Sequence, residues 1–147
     1  MILDPSTAEQ VGKTYQDMIK TVVHELVHVF SWHNNCHKLA IMTEGIAEHF
    51  AERYNYEDIK HLARNINNLS DKTFKLWLNA KTSEELGSRQ GGYLAAYTII
   101  EYIIRTYGAE KLKEYFFSKD VAPFENLNVE PSQFIEGWKN FLRETYL

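Results

Sequence analysis

The chain has 147 residues, 44% of them hydrophobic and 14% aromatic, which suits one domain with a sizeable core and argues against disorder. A net charge of -4, with no long basic run and no Lys/Arg stripe, excludes a nucleic-acid surface and fits a peptide or protein partner better. The single cysteine, Cys36, cannot form an internal disulfide, and no apolar stretch reaches the length of a membrane span.

No internal repeat, low-complexity run or linker divides the chain, so one domain over 1–147 is expected. Its start, Met1 to Thr7, lacks the basic and apolar regions of a signal peptide, which implies a cytoplasmic location if the chain is full length. Asp4-Pro5-Ser6-Thr7 is a helix-start signal, and Ser6 with Glu9 fits a capping box. From there Val11, Tyr15, Met18, Ile19, Val22, Val23, Leu26, Val27 and Phe30 follow helical spacing and predict one helix to about Trp32. The polar stretch from His33 to Lys38 reads as a loop. Thr43 is the expected cap of a second helix running to about Tyr56, and a third is expected over 57–66. Ser70 caps a fourth through Asn79, and Glu84-Glu85 mark a helix start near Ser83. Gly91-Gly92 precede a strongly apolar helix over 93–107 that Gly108 closes, and a short helix over 109–118 follows. Pro131 suits the first position of a last helix ending near Tyr146. Only Met1-Ile2-Leu3 suggests a strand, so the expected fold is mainly α.

His24-Glu25-Leu26-Val27-His28 is an HExxH motif inside the first helical pattern. Residues four apart share a helix face, so both imidazoles can close on one tetrahedral Zn²⁺. Glu25, beside the first ligand, is angled to take a proton from water at the open coordination position and deliver it to a leaving amine. The flanking Val22, Val23, Leu26, Val27, Val29 and Phe30 are expected to bury this helix, and a buried bare imidazole needs a partner. Glu44, expected in the first turn of the second helix, is the candidate third ligand, which leaves one position open for catalysis. Glu48, one turn on, can accept from the free nitrogen of His24 or His28 and fix its tautomer; the bland alternative for Glu48 and Glu52 is a solvated helix face.

His24-Glu25-Leu26-Val27-His28 followed by Thr43-Glu44-Gly45-Ile46-Ala47 resembles the gluzincin type of HExxH zinc metallopeptidase, and is similar to the HELxH and NEG-hydrophobic-A signatures of zinc aminopeptidases. The resemblance implies a zincin-like helical catalytic subdomain, Zn²⁺ held by His24, His28 and Glu44, and Glu48 orienting a ligand histidine as in thermolysin-like members. The apolar segment from Tyr93 to Ile104, followed by Tyr107-Gly108-Ala109-Glu110, looks like a later helix of the same proteins. Its tyrosine, which stabilises the tetrahedral intermediate, maps onto Tyr93, with Tyr97 second and core packing as the alternative for either. Tyr102 and Tyr107 read as packing.

The likeness spans about residues 15 to 115, with departures. The gap between His28 and Glu44 is shorter than in the aminopeptidases, and if that loop does not close Glu48 becomes the alternative ligand. The GxMEN exopeptidase motif is missing, and the stretch ahead of His24 is too short for the usual upstream sheet. The chain is therefore either the C-terminal part of a longer peptidase or a minimal version with a different cleft. His33, Cys36 and His37 match no closed metal site; His49 is expected to point away from Glu44 and His61 to be exposed. Arg89, Gln90, Gly91 and Gly92 are candidates for lining the cleft beside Tyr93. The leading expectation is a zinc-dependent peptidase. A regulatory metallopeptidase with one protein substrate is the first alternative, because Glu44, Ala47, Phe50 and Ala51 also match the ExxAxxFA pattern of enzymes that clear phage repressors. A non-catalytic helical binding module is the second.

Overall fold

A computed structural model describes residues 14–36, 39–87, 91–118 and 123–147. Thr14 opens helix α1 (Tyr15–His33): its hydroxyl accepts the Asp17 N–H at 3.2 Å, and the Asp17 carboxylate accepts the Thr14 N–H at 3.0 Å. This reciprocal cap satisfies two donors that the first turn would otherwise orphan. The helix carrying HExxH therefore begins at Tyr15 and is not continuous with a start at Ser6, because Thr14 is extended there. Ser6, Glu9, Val11 and the strand expected at Met1-Ile2-Leu3 lie outside the described residues, as do His37, Lys38, Arg89 and Gln90.

Helix α2 (Ala40–Phe50) also departs from expectation. Thr43 lies within its first turn, its hydroxyl donating back to the Leu39 and Ala40 carbonyls, and so does not cap it. Ile41 and Met42 are fully buried and the Ala40 N–H donates to the Ala80 carbonyl, so tertiary burial starts the helix a turn earlier than local signals suggest. It stops at Phe50 and not near Tyr56, because Glu52 turns the chain at φ +49°.

The remaining elements follow the sequence signals closely, apart from a short helix at Pro123–Asn126 that no signal marked. Helix α3 (Tyr56–Asn65) has an Asn55–Asp58 capping box and runs into a 3-10 turn at Ile66–Asn68, and α4 (Asp71–Leu78) is capped by Ser70. After α5 (Ser83–Gly87), α6 (Gly92–Tyr107) lies between Gly91 and Gly108, both at positive φ where glycine carries no Cβ penalty. Helices α7 (Ala109–Phe117), α8 (Pro123–Asn126) and α9 (Pro131–Tyr146) complete the described chain. No strand occurs among the described residues, and the fold is mainly α, as expected.

The core is organised on the α2–α6 pair. A Cβ on Gly45 would lie 2.7 Å from the Ala96 carbonyl oxygen, so only glycine lets α2 approach the α6 backbone here. Ala47, Ala95, Ala96, Ile99, Ile100 and Ile103 are fully buried around that contact, and each buried isoleucine contributes about 1.5–3 kcal/mol. Helix α9 packs on α3 and α6, and its fully buried Trp138 donates Nε1–H to Thr98 Oγ1 at 3.1 Å.

Helix α1 packs extensively only on α2. Met18, His24 and Ser31 are buried, whereas Ile19, Val22, Leu26, Val29 and Phe30 remain 44–60% exposed. The expectation that the apolar flanks bury α1 is thus corrected in part: α2 covers one face and half-buries Val23 and Val27, while the rest borders an open apolar cleft shared with Phe116 and Phe117. No helix of the described residues is long and apolar enough to cross a membrane.

Candidate metal centre

Two helices build the site. On α1, His24 and His28 project from one face, one turn apart, their ring centroids 4.6 Å apart and nearly perpendicular. Across from them, Glu44 rises from α2, whose angle is set by the close approach at Gly45. Three atoms converge: His24 Nε2 and His28 Nε2 are 2.9 Å apart, and Glu44 Oε2 lies 3.3 Å from the first and 3.4 Å from the second.

That triangle fits a metal better than a proton. A proton on His24 Nε2 serves one of its two neighbours well, not both, while a cation accepts a lone pair from all three atoms. Zinc–nitrogen bonds of about 2.0–2.1 Å in a tetrahedron give ligand–ligand edges of about 3.3–3.4 Å, close to two of the three observed. No other group of His, Cys, Asp or Glu among the described residues is as tightly gathered.

The surroundings orient the ligands. Ser83, on α5, donates its hydroxyl to Glu44 Oε1 at 2.7 Å, which leaves Oε2 facing the histidines. Glu48 Oε1 lies 3.0 Å from His24 Nδ1. It sits off the line of the N–H bond, so the contact is an ion pair without a well-aligned hydrogen bond. Glu44 and Glu48 together push His24 up to about 9, the hydrogen bond that His24 donates to Glu44 acting most strongly and burial acting against it. Burial alone would raise the Glu44 carboxyl; the hydrogen bonds from His24, His28 and Ser83 outweigh it and hold the group well below the usual carboxylate range. Glu48 is only 6% exposed, so a solvated face does not describe it, whereas Glu52 is exposed and its carbonyl accepts from Lys20.

Glu25 is exposed beside His24, open to solvent. The two candidate tyrosines part company. Tyr93 donates to the Ser83 carbonyl at 3.4 Å, and its phenol is raised by burial and by the Glu44 and Glu48 carboxylates, so it stands at the edge of the metal centre. Tyr97 packs against His49 and Tyr54, with ring centroids 5.4 and 5.5 Å away, and faces Glu101 and Glu52. His33 and His61 are exposed, and Cys36 is buried.

Two residues escaped the sequence reading. Ser83, far along the chain from Glu44, carried only a helix-start signal. Tyr54 had no signal; its phenol is raised to about 12 by burial and then by the Glu48 charge. Compared with protein-family models, curated proteins and solved structures, the chain matches none.

Proposed function

We propose that this chain is a zinc-dependent peptidase domain in which His24, His28 and Glu44 hold the metal and Glu25 is the general base. The observation that carries the proposal is the 2.9–3.4 Å triangle of two imidazole nitrogens and one carboxylate oxygen. Zinc in such a site supplies Lewis acidity, polarising a carbonyl and making water a usable nucleophile near neutral pH. Glu25, on the same helix and open to solvent, accepts the proton of the attacking water and passes it to the leaving amine. Glu48 restrains the His24 ring through Nδ1, and Ser83 orients Glu44. The Tyr93 phenol, at the edge of the site, donates to the developing oxyanion.

The test is the zinc content and peptide hydrolysis of wild type beside His24→Ala, Glu44→Gln and Glu25→Gln. About one zinc per wild-type chain is expected, sharply reduced in the first two variants. Glu25→Gln should keep its zinc and lose about 10²–10⁴ in hydrolytic rate. Wild-type protein that takes up no zinc when supplied with it would refute the reading. Cleavage of generic peptides separates a general peptidase from one that acts on a single protein.

A second reading rests on the slender attachment of α1 to α2. A metal shared between His24, His28 and Glu44 would staple the two helices, a structural role that needs no base at Glu25. Zinc retained in Glu25→Gln, with neither protein hydrolysing any peptide, would favour it.

A further inference from the structure

A cleft of about 330 Å³ opens beside the metal centre, with His28 and Glu44 in one wall, and Ser31, Lys81, Thr82 and Ser83 among the residues around it. Its walls hold unspent hydrogen-bond donors. Ser31 is one of the lining residues, but its Oγ is buried and does not face the cleft. The Thr82 hydroxyl accepts the Glu85 N–H at 3.1 Å and keeps its own proton to donate. Lys81 gives its backbone N–H to the Glu85 carboxylate at 2.9 Å, while its ammonium pairs with no carboxylate of the described residues. Ser83 and Thr43, by contrast, already donate to Glu44 and to the α2 backbone. The one carboxylate in the wall, Glu44, is committed to the histidines and Ser83.

A cleft with surplus donors, one unpaired cation and no free carboxylate suits an anionic acceptor. We infer that it is the subsite for an acidic side chain, Asp or Glu, of the peptide residue next to the bond being cut, held by Lys81 and Thr82. The inference rests on the peptidase reading for its meaning, because His28 and Glu44 join the cleft to the metal. Charge-assisted hydrogen bonds are the stronger class, and the Lys81 ammonium gains a charged partner on binding.

Two measurements on the same proteins test it. In the first, quenched peptides that differ only in Glu, Gln or Lys at the positions flanking an Ala–Ala bond are compared by kcat/KM. The zinc-loaded wild type should prefer Glu to Lys at one position by about tenfold or more, and Lys81→Glu should reverse that order with its zinc content unchanged. In the second, N-acetylglutamate methylamide and its lysine counterpart are titrated into metal-free protein and followed by the backbone amide signals of Ser31 and Thr82. Only the glutamate compound should shift them, and Lys81→Glu should abolish the shift. Equal use of the Glu and Lys peptides, or amide shifts that do not distinguish the two compounds, would overturn the subsite while leaving a zinc peptidase intact. If no zinc is bound and nothing is cut, selective glutamate shifts would still establish the acidic-ligand cleft, and the peptidase reading alone would fall.

Discussion

His24 meets two carboxylates at once, and its protonation would tie any metal binding to pH. Its value is raised from 6.5 to about 9, so the imidazolium contributes stability that is fully present below pH 6.5 and lost as pH rises through about 9. Glu44 is depressed, so its contribution is present above pH 4.5 and lost as pH falls through its folded value. The metal-free protein should therefore lose thermal stability between pH 6.5 and 9. Metal binding must displace the His24 proton, so affinity rises across the same window. The expected outcome is a gap in Tm between zinc-loaded and metal-free protein that widens from pH 6.5 to 9; a constant gap would mean that His24 does not exchange a proton for the metal. At the same scale, Glu48→Gln keeps the side-chain shape but removes the charge 3.0 Å from Nδ1. Zinc affinity, measured by chelator competition, should drop about 10–100-fold. A drop of that size with unchanged Tm in the metal-free protein would locate the effect in ligand orientation and not in folding.

Between elements, the decisive contact is the one that only glycine allows. Gly45→Ala would drive a methyl against the Ala96 carbonyl and the Ile100 side chain, at would-be distances of 2.7 and 2.9 Å. Relieving it requires α2 to move off α6, at about 1–3 kcal/mol by comparison with overpacked cores. Because Glu44 precedes Gly45, the same movement carries Oε2 away from the two imidazoles. Urea denaturation should report the stability loss, and zinc affinity should fall in the same variant. Ala47 is also fully buried, so the Glu-Gly-hydrophobic-Ala pattern has a packing cause as well as a chemical one: small residues bring a ligand-bearing helix against its support.

For the molecule as a whole, α1 is the least secured of the long helices. Phe30 stacks on Phe116 at 6.1 Å, and Lys20 and Arg53 tie it to the α2 end, yet much of its apolar surface faces outward. Few buried contacts mean a low local opening energy. Zinc bridging α1 to α2 would supply the missing attachment. Chelation should therefore raise amide hydrogen exchange in α1 by well over the change in α6 and α9, whose cores are built on Ile99, Ile100 and Trp138. Uniform loosening of all three helices would instead indicate that the metal stabilises the global fold.

Much of this architecture is legible from local chemistry. Ser70 and the Gly91–Gly92 and Gly108 pair mark helix ends where the structure has them, as does Pro131, because caps and φ preferences act within a few residues. HExxH brings two imidazoles to one face for the same reason: helical spacing is a local property. Where burial competes with a local signal, the signal loses. Thr43 is drawn inside α2 because Ala40, Ile41 and Met42 have a core to enter, and Leu26 and Val29 stay exposed because α2 covers only one face of α1. Proximity across the chain is decided only by the packed structure. Ser83 on Glu44, Glu48 beside His24, the division of Tyr93 from Tyr97, and the donor-rich cleft all depend on how α2 lies between α1, α5 and α6. The sequence by itself determined most of the helices and the types of side chain on their faces; the tertiary structure decided which side chains meet, because those meetings depend on contacts between residues far apart in the chain that no local preference encodes.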